Sequence, residues 1–381
     1  MVEIESRDIC IMKVGFISEF DVDNKKAWSG TINFLYETLS KEYELYPMVV
    51  KPTFAQKCFK KITKIIWGGE NEDYTYIDQW MNRKAINKKI KIAIENGVEC
   101  FFAPAASTLL GVSNIPPEYK VVYLSDATYH IMLGYYYEGG SKKNIKRHNC
   151  AEKNSLIRAN SVILSSEWAK NDAVKYYGIS EKKIKVLCFG ANLIDRYKPH
   201  ALHDVVRILF VGVEWKRKGT DLAIDCVDVL NHSKCGRKFE LTIIGLDKPE
   251  NYNGSDSVHF VGRLNKDNVE QYEKMIKYYQ ESDLFLLPTL AECSAIVFSE
   301  AAMYALPTFT HNTGGVMSYV EDGVTGRGLQ LGSTGEDFAN AILDMLNKNQ
   351  YDDWSKNARR KYEKELNWEN WLTSCEKIIE E

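Results

Sequence analysis

At 381 residues the chain is too long for one ordinary hydrophobic core and about right for two. Apolar residues make up 45% of it and charged residues 27%, the composition of an ordinary globular protein, and no apolar run reaches the roughly 18 residues expected of a transmembrane helix. The net charge of −3 is unevenly shared: 27 basic against 22 acidic side chains up to Asn192, then 22 against 30, so the first half is expected to face something anionic. No nucleic-acid motif accompanies that excess, so no nucleic-acid partner is expected.

Glu3, Glu5, Arg7 and Asp8 precede any apolar stretch, which speaks against a signal peptide. Met12-Lys13 reads as a second start, making residues 1–11 an N-terminal extension. The nine cysteines are scattered singly without a CxxC pair, which argues against a disulfide framework or a zinc site and predicts a reducing, cytoplasmic setting.

From Lys13 onward short apolar runs alternate with amphipathic stretches. Strands are predicted at Lys13 to Ile17, Leu45 to Val50, Cys100 to Ala103, Val121 to Leu124 and Ser161 to Leu164. Helical patterns lie between them at Asn33 to Lys41, Asp78 to Glu95 and Ala151 to Arg158. The alternation restarts with a strand at Val206 to Val211 and a helix from about Gly219 to Leu230. Strands at Leu241 to Ile244 and Leu284 to Leu287 follow, with a helix near Asn268 to Tyr279 between them. This is an α/β pattern of two Rossmann-like, doubly wound parallel-sheet domains, 12–192 and 206–365, joined by a linker at 193–205. Ligands of such sheets sit beyond the carboxyl ends of the strands, so chemistry is expected in a central cleft that the two domains face.

Chemistry concentrates in Glu292-Cys293-Ser294-Ala295-Ile296-Val297-Phe298-Ser299-Glu300, directly after a buried strand and Pro288-Thr289. Small residues at Cys293, Ser294 and Ala295 let backbone amides approach a ligand. The helix start behind them, toward Ile296, offers unpaired N–H groups and partial positive charge to a phosphate. Two carboxylates eight positions apart reach different parts of an elongated ligand, and carboxylates are good acceptors for sugar hydroxyls. A second element, Gly212-Val213-Glu214-Trp215-Lys216-Arg217-Lys218-Gly219, sets Arg217 and Lys218 at a strand–helix turn, where cations can stabilise a departing diphosphate without a metal. A third, Ala27-Trp28-Ser29-Gly30-Thr31, puts a glycine at the turn before a helix, suited to close approach of phosphate.

These elements resemble glycosyltransferase family 4, whose signature is two glutamates separated by seven residues. The resemblance spans Met12 to Glu381 and implies the GT-B fold of the glycogen-synthase-like superfamily. By it, Glu292 contacts the transferred sugar, Glu300 the ribose of the nucleotide, and Lys218 matches the family lysine. Cys293, Ser294 and Ala295 stand where the commonest form has Gly-Phe-Gly. Val213 occupies the usual arginine position, and Arg217 supplies the guanidinium from further along. Asp126, at the tip of Leu124-Ser125-Asp126, orients the acceptor. Gly30 and Thr31 resemble the family's glycine loop, and Phe260-Val261-Gly262-Arg263 the loop whose backbone meets the nucleobase. The segment 366–381 resembles the helix that crosses back to the first domain.

The resemblance implies a retaining hexosyltransferase of polysaccharide or glycoconjugate biosynthesis. Its co-substrate is a nucleotide sugar, with UDP favoured and GDP an alternative. Its acceptor is a glycan, a lipid-linked species or a protein, and no metal or other cofactor is expected. Asp21-Val22-Asp23 has the form of a DxD metal motif, but that motif belongs to a different, single-domain fold. The rival readings are a sugar phosphorylase, a nucleotide-sugar epimerase and a non-catalytic nucleotide-sugar-binding partner subunit. Lys57 to Trp67 is basic and amphipathic, fitting either peripheral contact with anionic lipid at the inner membrane face or a helix packed on one side. Tyr135 to Gly140 fits either a mobile acceptor lid or a structural loop.

Overall fold

The computed structural model describes residues 11–66, 72–250, 252–294 and 296–381. They cluster into two compact units. Unit 1 runs to Ile163 and takes in Asp172–Lys185 and Leu372–Glu381; unit 2 comprises Leu164–Asn171 and Val186–Trp371.

Unit 1 is built on strands β1 (Lys13–Ser18), β2 (Glu44–Val49), β3 (Cys100–Pro104), β4 (Lys120–Ser125), β5 (Ser161–Leu164) and β6 (Ile184–Val186). They form one six-stranded sheet in the order β2-β1-β3-β4-β5-β6, with parallel pairing from β2 through β4. Val14, Phe16 and Ile17 of β1 and Phe101 and Phe102 of β3 are fully buried, as interior strands covered on both faces require. The helices are α1 (Thr31–Leu39), α2 (Phe54–Ile66), α3 (Tyr76–Glu95), α4 (Ser107–Leu110), α5 (Tyr129–Met132) and α6 (Lys142–Arg158), while α7 (Glu167–Lys175) is divided between the units after Asn171. A reciprocal capping box between Thr75 and Asp78 starts α3. The predicted helix at Ala151 to Arg158 begins earlier, at Lys142, because Ser141 accepts the Asn144 amide and caps it there.

Unit 2 repeats the plan with β7 (Val205–Val211), β8 (Lys238–Ile244), β9 (Val258–Gly262), β10 (Leu284–Leu287), β11 (Thr308–His311) and β12 (Gly326–Leu329). Their order is β12-β11-β10-β7-β8-β9, all parallel. Helices α8 (Thr220–His232), α9 (Val269–Glu281), α10 (Ile296–Met303), α11 (Gly335–Asn347) and α12 (Tyr351–Glu365) cover the sheet, and α13 (Trp368–Glu380) ends the chain. All four residues of β10 are buried, and α10 is buried on nearly every side. In each sheet the strand order reverses beside the first strand of the unit: between β1 and β3, and between β7 and β10. Loops leaving such a switch point diverge and open a crevice.

Phe260 to Gly262, expected as a loop, belongs to β9, since backbone pairing with β8 extends to Gly262 after a register shift at Ile243/Ile244. No helix among the described residues is long and apolar enough to cross a membrane.

Candidate active site

The switch point of unit 2 determines which side chains meet. β7 runs into Gly212 and the turn that ends at Gly219; β10 runs into Pro288 and the segment carrying Glu292. Gly219 has φ +72°, and a Cβ there would lie 2.1 Å from the Pro288 carbonyl oxygen, so only glycine lets these two chain segments pass each other. The Leu290 amide donates to the Arg217 carbonyl at 2.7 Å, and the Thr289 hydroxyl donates to the same oxygen at 3.2 Å, fastening one loop to the other.

Lys218 and Glu292 therefore come together. Both are buried, and Lys218 Nζ donates to Glu292 Oε2. Arg217 lies beside them with Nη1 3.5 Å from the same oxygen, and donates from Nη1 to the Ala291 carbonyl at 2.9 Å. Its other two donors fork onto Glu214, at 3.0 Å and 2.7 Å. That bidentate contact, with the Arg217 charge, holds the Glu214 carboxyl below its ordinary value. The cluster thus contains two cations and two carboxylates at a single point in the sheet. The turn is braced sideways by Trp215, whose ring stacks on Phe260 of β9 at 6.0 Å and whose indole donates to Asp221 at 2.8 Å.

Glu300 stands apart from that cluster, on the buried helix α10. Its Oε1 accepts from Lys266 Nζ at 2.9 Å and its Oε2 from the Tyr279 hydroxyl at 2.8 Å. Lys266 also donates to the Asn192 carbonyl at 3.1 Å. Burial, reinforced by the nearby Glu300 carboxylate, raises the Tyr279 phenol well above its ordinary value, so this group remains a neutral donor. Sequence reading did not single out Lys266 or Tyr279, which lie 34 and 21 positions from Glu300 and reach it only through the fold.

A further contributor was missed although it left a trace in the sequence. The doublet Gly314-Gly315 follows β11, and the Gly315 amide donates to the Glu292 carbonyl at 3.1 Å. A Cβ on Gly315 would sit 2.0 Å from the Cys293 carbonyl oxygen, so the doublet marks a close approach to the Glu292 segment.

Of the remaining expected residues in unit 2, Ser294 is half-buried before α10 and Ile296 is buried at its first position. Ala295 lies outside the described residues. Gly262, with φ +76°, ends β9 at the edge of the sheet, and Arg263 beyond it is exposed. In unit 1, Gly30 (φ +86°) caps α1 and Thr31 is buried. Trp28 and Ser29 before them also have positive φ, 50° and 57°, a conformation that costs non-glycine residues about 1–2 kcal/mol each. The strained turn puts the Trp28 indole N–H 3.0 Å from Asp126 Oδ2, joining the loops that follow β1 and β4.

Asp21 of the DxD sequence pairs with Lys51. Elsewhere, His200, His203 and Asp283 bring three ligand atoms within 4.8 Å. The fully buried Asp283 accepts the backbone amides of His203 and Arg207, tying the approach to β7 onto β10.

Residues 195–361 match the family of glycosyl transferases group 1. An uncharacterized 41.2 kDa protein in the cps region of Klebsiella pneumoniae is 27% identical over 254 residues, 63% of this chain and 64% of the relative. A D-inositol 3-phosphate glycosyltransferase of Paenarthrobacter aurescens is 24% identical over 57% of this chain and 55% of its own length. The chain therefore spans between 55% and 64% of the length of these curated relatives. Among solved structures, Anabaena Alr3699/HepE in complex with UDP and glucose has a TM-score of 0.63 at 15% identity, covering 97% of this chain and 99% of that one. The chain thus has the GT-B fold of its glycosyltransferase structural neighbours, and residues 195–361, within its second unit, are similar to the glycosyl transferases group 1 family.

Proposed function

We propose that the chain is a retaining glycosyltransferase that moves a hexosyl group from a nucleotide sugar, UDP-linked, to a glycan, lipid-linked or protein acceptor. The observation that carries this reading is the meeting of Lys218, Arg217 and Glu292 in the loops that leave the neighbouring strands β7 and β10. Glu300 lies further along the same segment with its own donors, the buried Tyr279 and the exposed Lys266. In this reading Glu292 accepts hydroxyls of the transferred sugar and Glu300 those of the ribose. Arg217, Lys218 and the amides near Ser294 face the diphosphate, with Gly262 and Arg263 toward the base. Gly30 and Thr31, the glycine turn, serve the nucleotide sugar, and Asp126 orients the acceptor.

The reaction follows from charge. The bond from the anomeric carbon to the phosphate oxygen breaks as the acceptor oxygen bonds that carbon on the same face. The leaving phosphate takes the acceptor proton. Cations already held at the site are placed to stabilise the departing diphosphate in the role a metal plays elsewhere. The UDP and glucose bound by the Anabaena structure support the donor assignment, and the cps-region relative supports a role in polysaccharide synthesis.

Peripheral contact with anionic lipid at the inner, cytoplasmic membrane face fits α2, where Phe54 and Ile65 are 83% and 80% exposed beside exposed Lys57, Lys61 and Lys64. Trp67 of that stretch lies outside the described residues.

Thermal-shift titration with UDP-, GDP- and ADP-linked sugars tests the reading, because a ligand at a hundred times its dissociation constant stabilises by about 2.7 kcal/mol. No shift with any of them would refute it. Conversion of the donor without acceptor would assign an epimerase, and a requirement for free phosphate a phosphorylase. Binding without any turnover would leave a partner subunit.

A further inference from the structure

Unit 1 holds a groove that the proposed transfer does not use. It measures about 750 Å³ and runs between α3 and α6 over a floor at Gly111 and Val112. It shares Arg83, Gly111, Val112 and Asn154 with an adjoining depression of about 570 Å³ that continues to Tyr119 and Arg158. The combined trough is elongated, the shape of a site for a chain of units.

Its floor is rigid. A Cβ on Gly111 would meet the Ala151 carbonyl at 2.4 Å, and Asn154 donates to the Gly111 carbonyl at 3.3 Å. On the other side the Asn114 amide donates to Asn87 of α3 at 2.7 Å. The trough reaches Tyr119, Val121 and Asn160, at the amino ends of β4 and β5. Asp126 and Trp28, by contrast, meet beyond the carboxyl ends of β4 and β1. The trough therefore opens away from the acceptor end of the sheet.

The walls have opposite chemistry. Along α3, Tyr76 and Trp80 are four positions apart on one helix face, 73% and 62% exposed. Along α6, Lys143, Lys146 and Arg147 line the facing wall, with Arg83 at the end of the aromatic row. Arg147 lies 5.2 Å from the centre of the Tyr76 ring and pairs with Glu72. No aspartate or glutamate occurs among the described residues lining either part, in a chain where acidic residues outnumber basic ones, 52 to 49. Large exposed aromatic faces suit the apolar C–H faces of sugar rings, cations suit carboxylates or phosphates, and Gln79 and Asn154 offer amides to hydroxyls. A bilayer meets a flat or convex patch, not a trough.

We propose that the α3–α6 groove binds an anionic oligosaccharide, uronate- or phosphate-bearing, with its rings on Tyr76 and Trp80 and its charges on Arg83 and the α6 lysines. Selecting a glycan among anionic chains rests on the glycosyltransferase reading. The preference for anions rests on the lining alone.

Cys150 is exposed and lines the groove, so its alkylation by iodoacetamide, read by mass spectrometry, reports occupancy in the full chain without donor. Cys235 of unit 2 serves as internal control. An oligogalacturonate should slow labelling at Cys150 and leave Cys235 unchanged, with protection fading as salt rises. Trp80→Ala should weaken binding about tenfold, and Arg83→Glu with Lys146→Glu should abolish it. Both variants should keep the wild-type thermal midpoint and nucleotide-sugar affinity, which separates failure of this site from failure of the transferase reading. Equal protection by a neutral dextran oligomer, no protection, or wild-type affinity in Trp80→Ala would overturn the proposal. So would protection by phosphatidylglycerol vesicles or a single-stranded oligonucleotide but not by the oligogalacturonate.

Discussion

Lys218 and Glu292, 74 positions apart in sequence, share a hydrogen bond in the interior of unit 2. The pair exists because β7 and β10 are neighbours in the sheet, so the loops that follow them leave from one point. Without Lys218 the buried carboxylate loses its direct hydrogen-bonded cation and keeps only the more distant Arg217, 3.5 Å away, against its lost hydration. Lys218→Met should therefore destabilise the fold by about 3 kcal/mol. Removing both charges, with Glu292→Gln added, should restore most of that loss. Urea unfolding of the two single variants and the double gives the coupling. Additive losses would mean that the two groups do not stabilise one another.

A second prediction concerns pH. Burial pushes the Glu152 carboxyl of α6 from 4.5 up to about 7, against hydrogen bonds from Tyr123 and Ser107 and helped by the nearby Asp126 and Asp172. Between those values the folded chain keeps a proton that the unfolded chain has released. Unfolding stability should fall as pH rises through this window and level off above it. Glu152→Gln keeps the acceptor for Tyr123 but does not titrate. Above pH 7 the variant should be more stable than the wild-type chain by roughly 3 kcal/mol. Equal pH profiles for the two proteins would show that Glu152 ionises freely.

The interior strands were legible because β1, β7 and β10 are short apolar runs bounded by turn residues, and β10 is buried throughout. Thr308–His311 and Gly326–Leu329 are short and largely polar or glycine-containing, so their strand character comes from their pairing, the first between β10 and β12 and the second at the sheet edge. Glu292 and the Arg217-Lys218 dipeptide were legible through local spacing. That Lys218 bonds Glu292, that Arg217 turns half its fork toward Glu214, and that Tyr279 holds Glu300 are tertiary facts. Nothing within a few residues of Tyr279 distinguishes it from any other aromatic on a packed helix.

If Arg217 and Lys218 supply the charge that a metal supplies elsewhere, transfer should persist in excess EDTA. Arg217→Ala and Lys218→Ala should each lower turnover about a hundredfold, because their contact strengthens as diphosphate charge develops. Activity lost to EDTA and recovered with manganese would return the role to Asp21 and Asp23.

The two glutamates of the signature should separate in one pair of measurements. Glu300 is held by Lys266 and Tyr279, and Glu292 by Lys218 and Arg217, so each can be altered without touching the other's partners. If Glu300 binds ribose, Glu300→Gln should weaken bare UDP and the UDP-sugar alike, by the 1.5–3 kcal/mol typical of roughly one charged hydrogen bond. Tyr279→Phe, which removes one donor that orients Glu300, should weaken both by about 1 kcal/mol. Glu292→Gln should leave UDP affinity nearly unchanged while transfer collapses, because the transferred sugar is absent from UDP. Calorimetry with UDP beside a transfer assay reads both effects. Loss of UDP affinity in Glu292→Gln but not in Glu300→Gln would mean that the donor lies along the segment in the opposite direction.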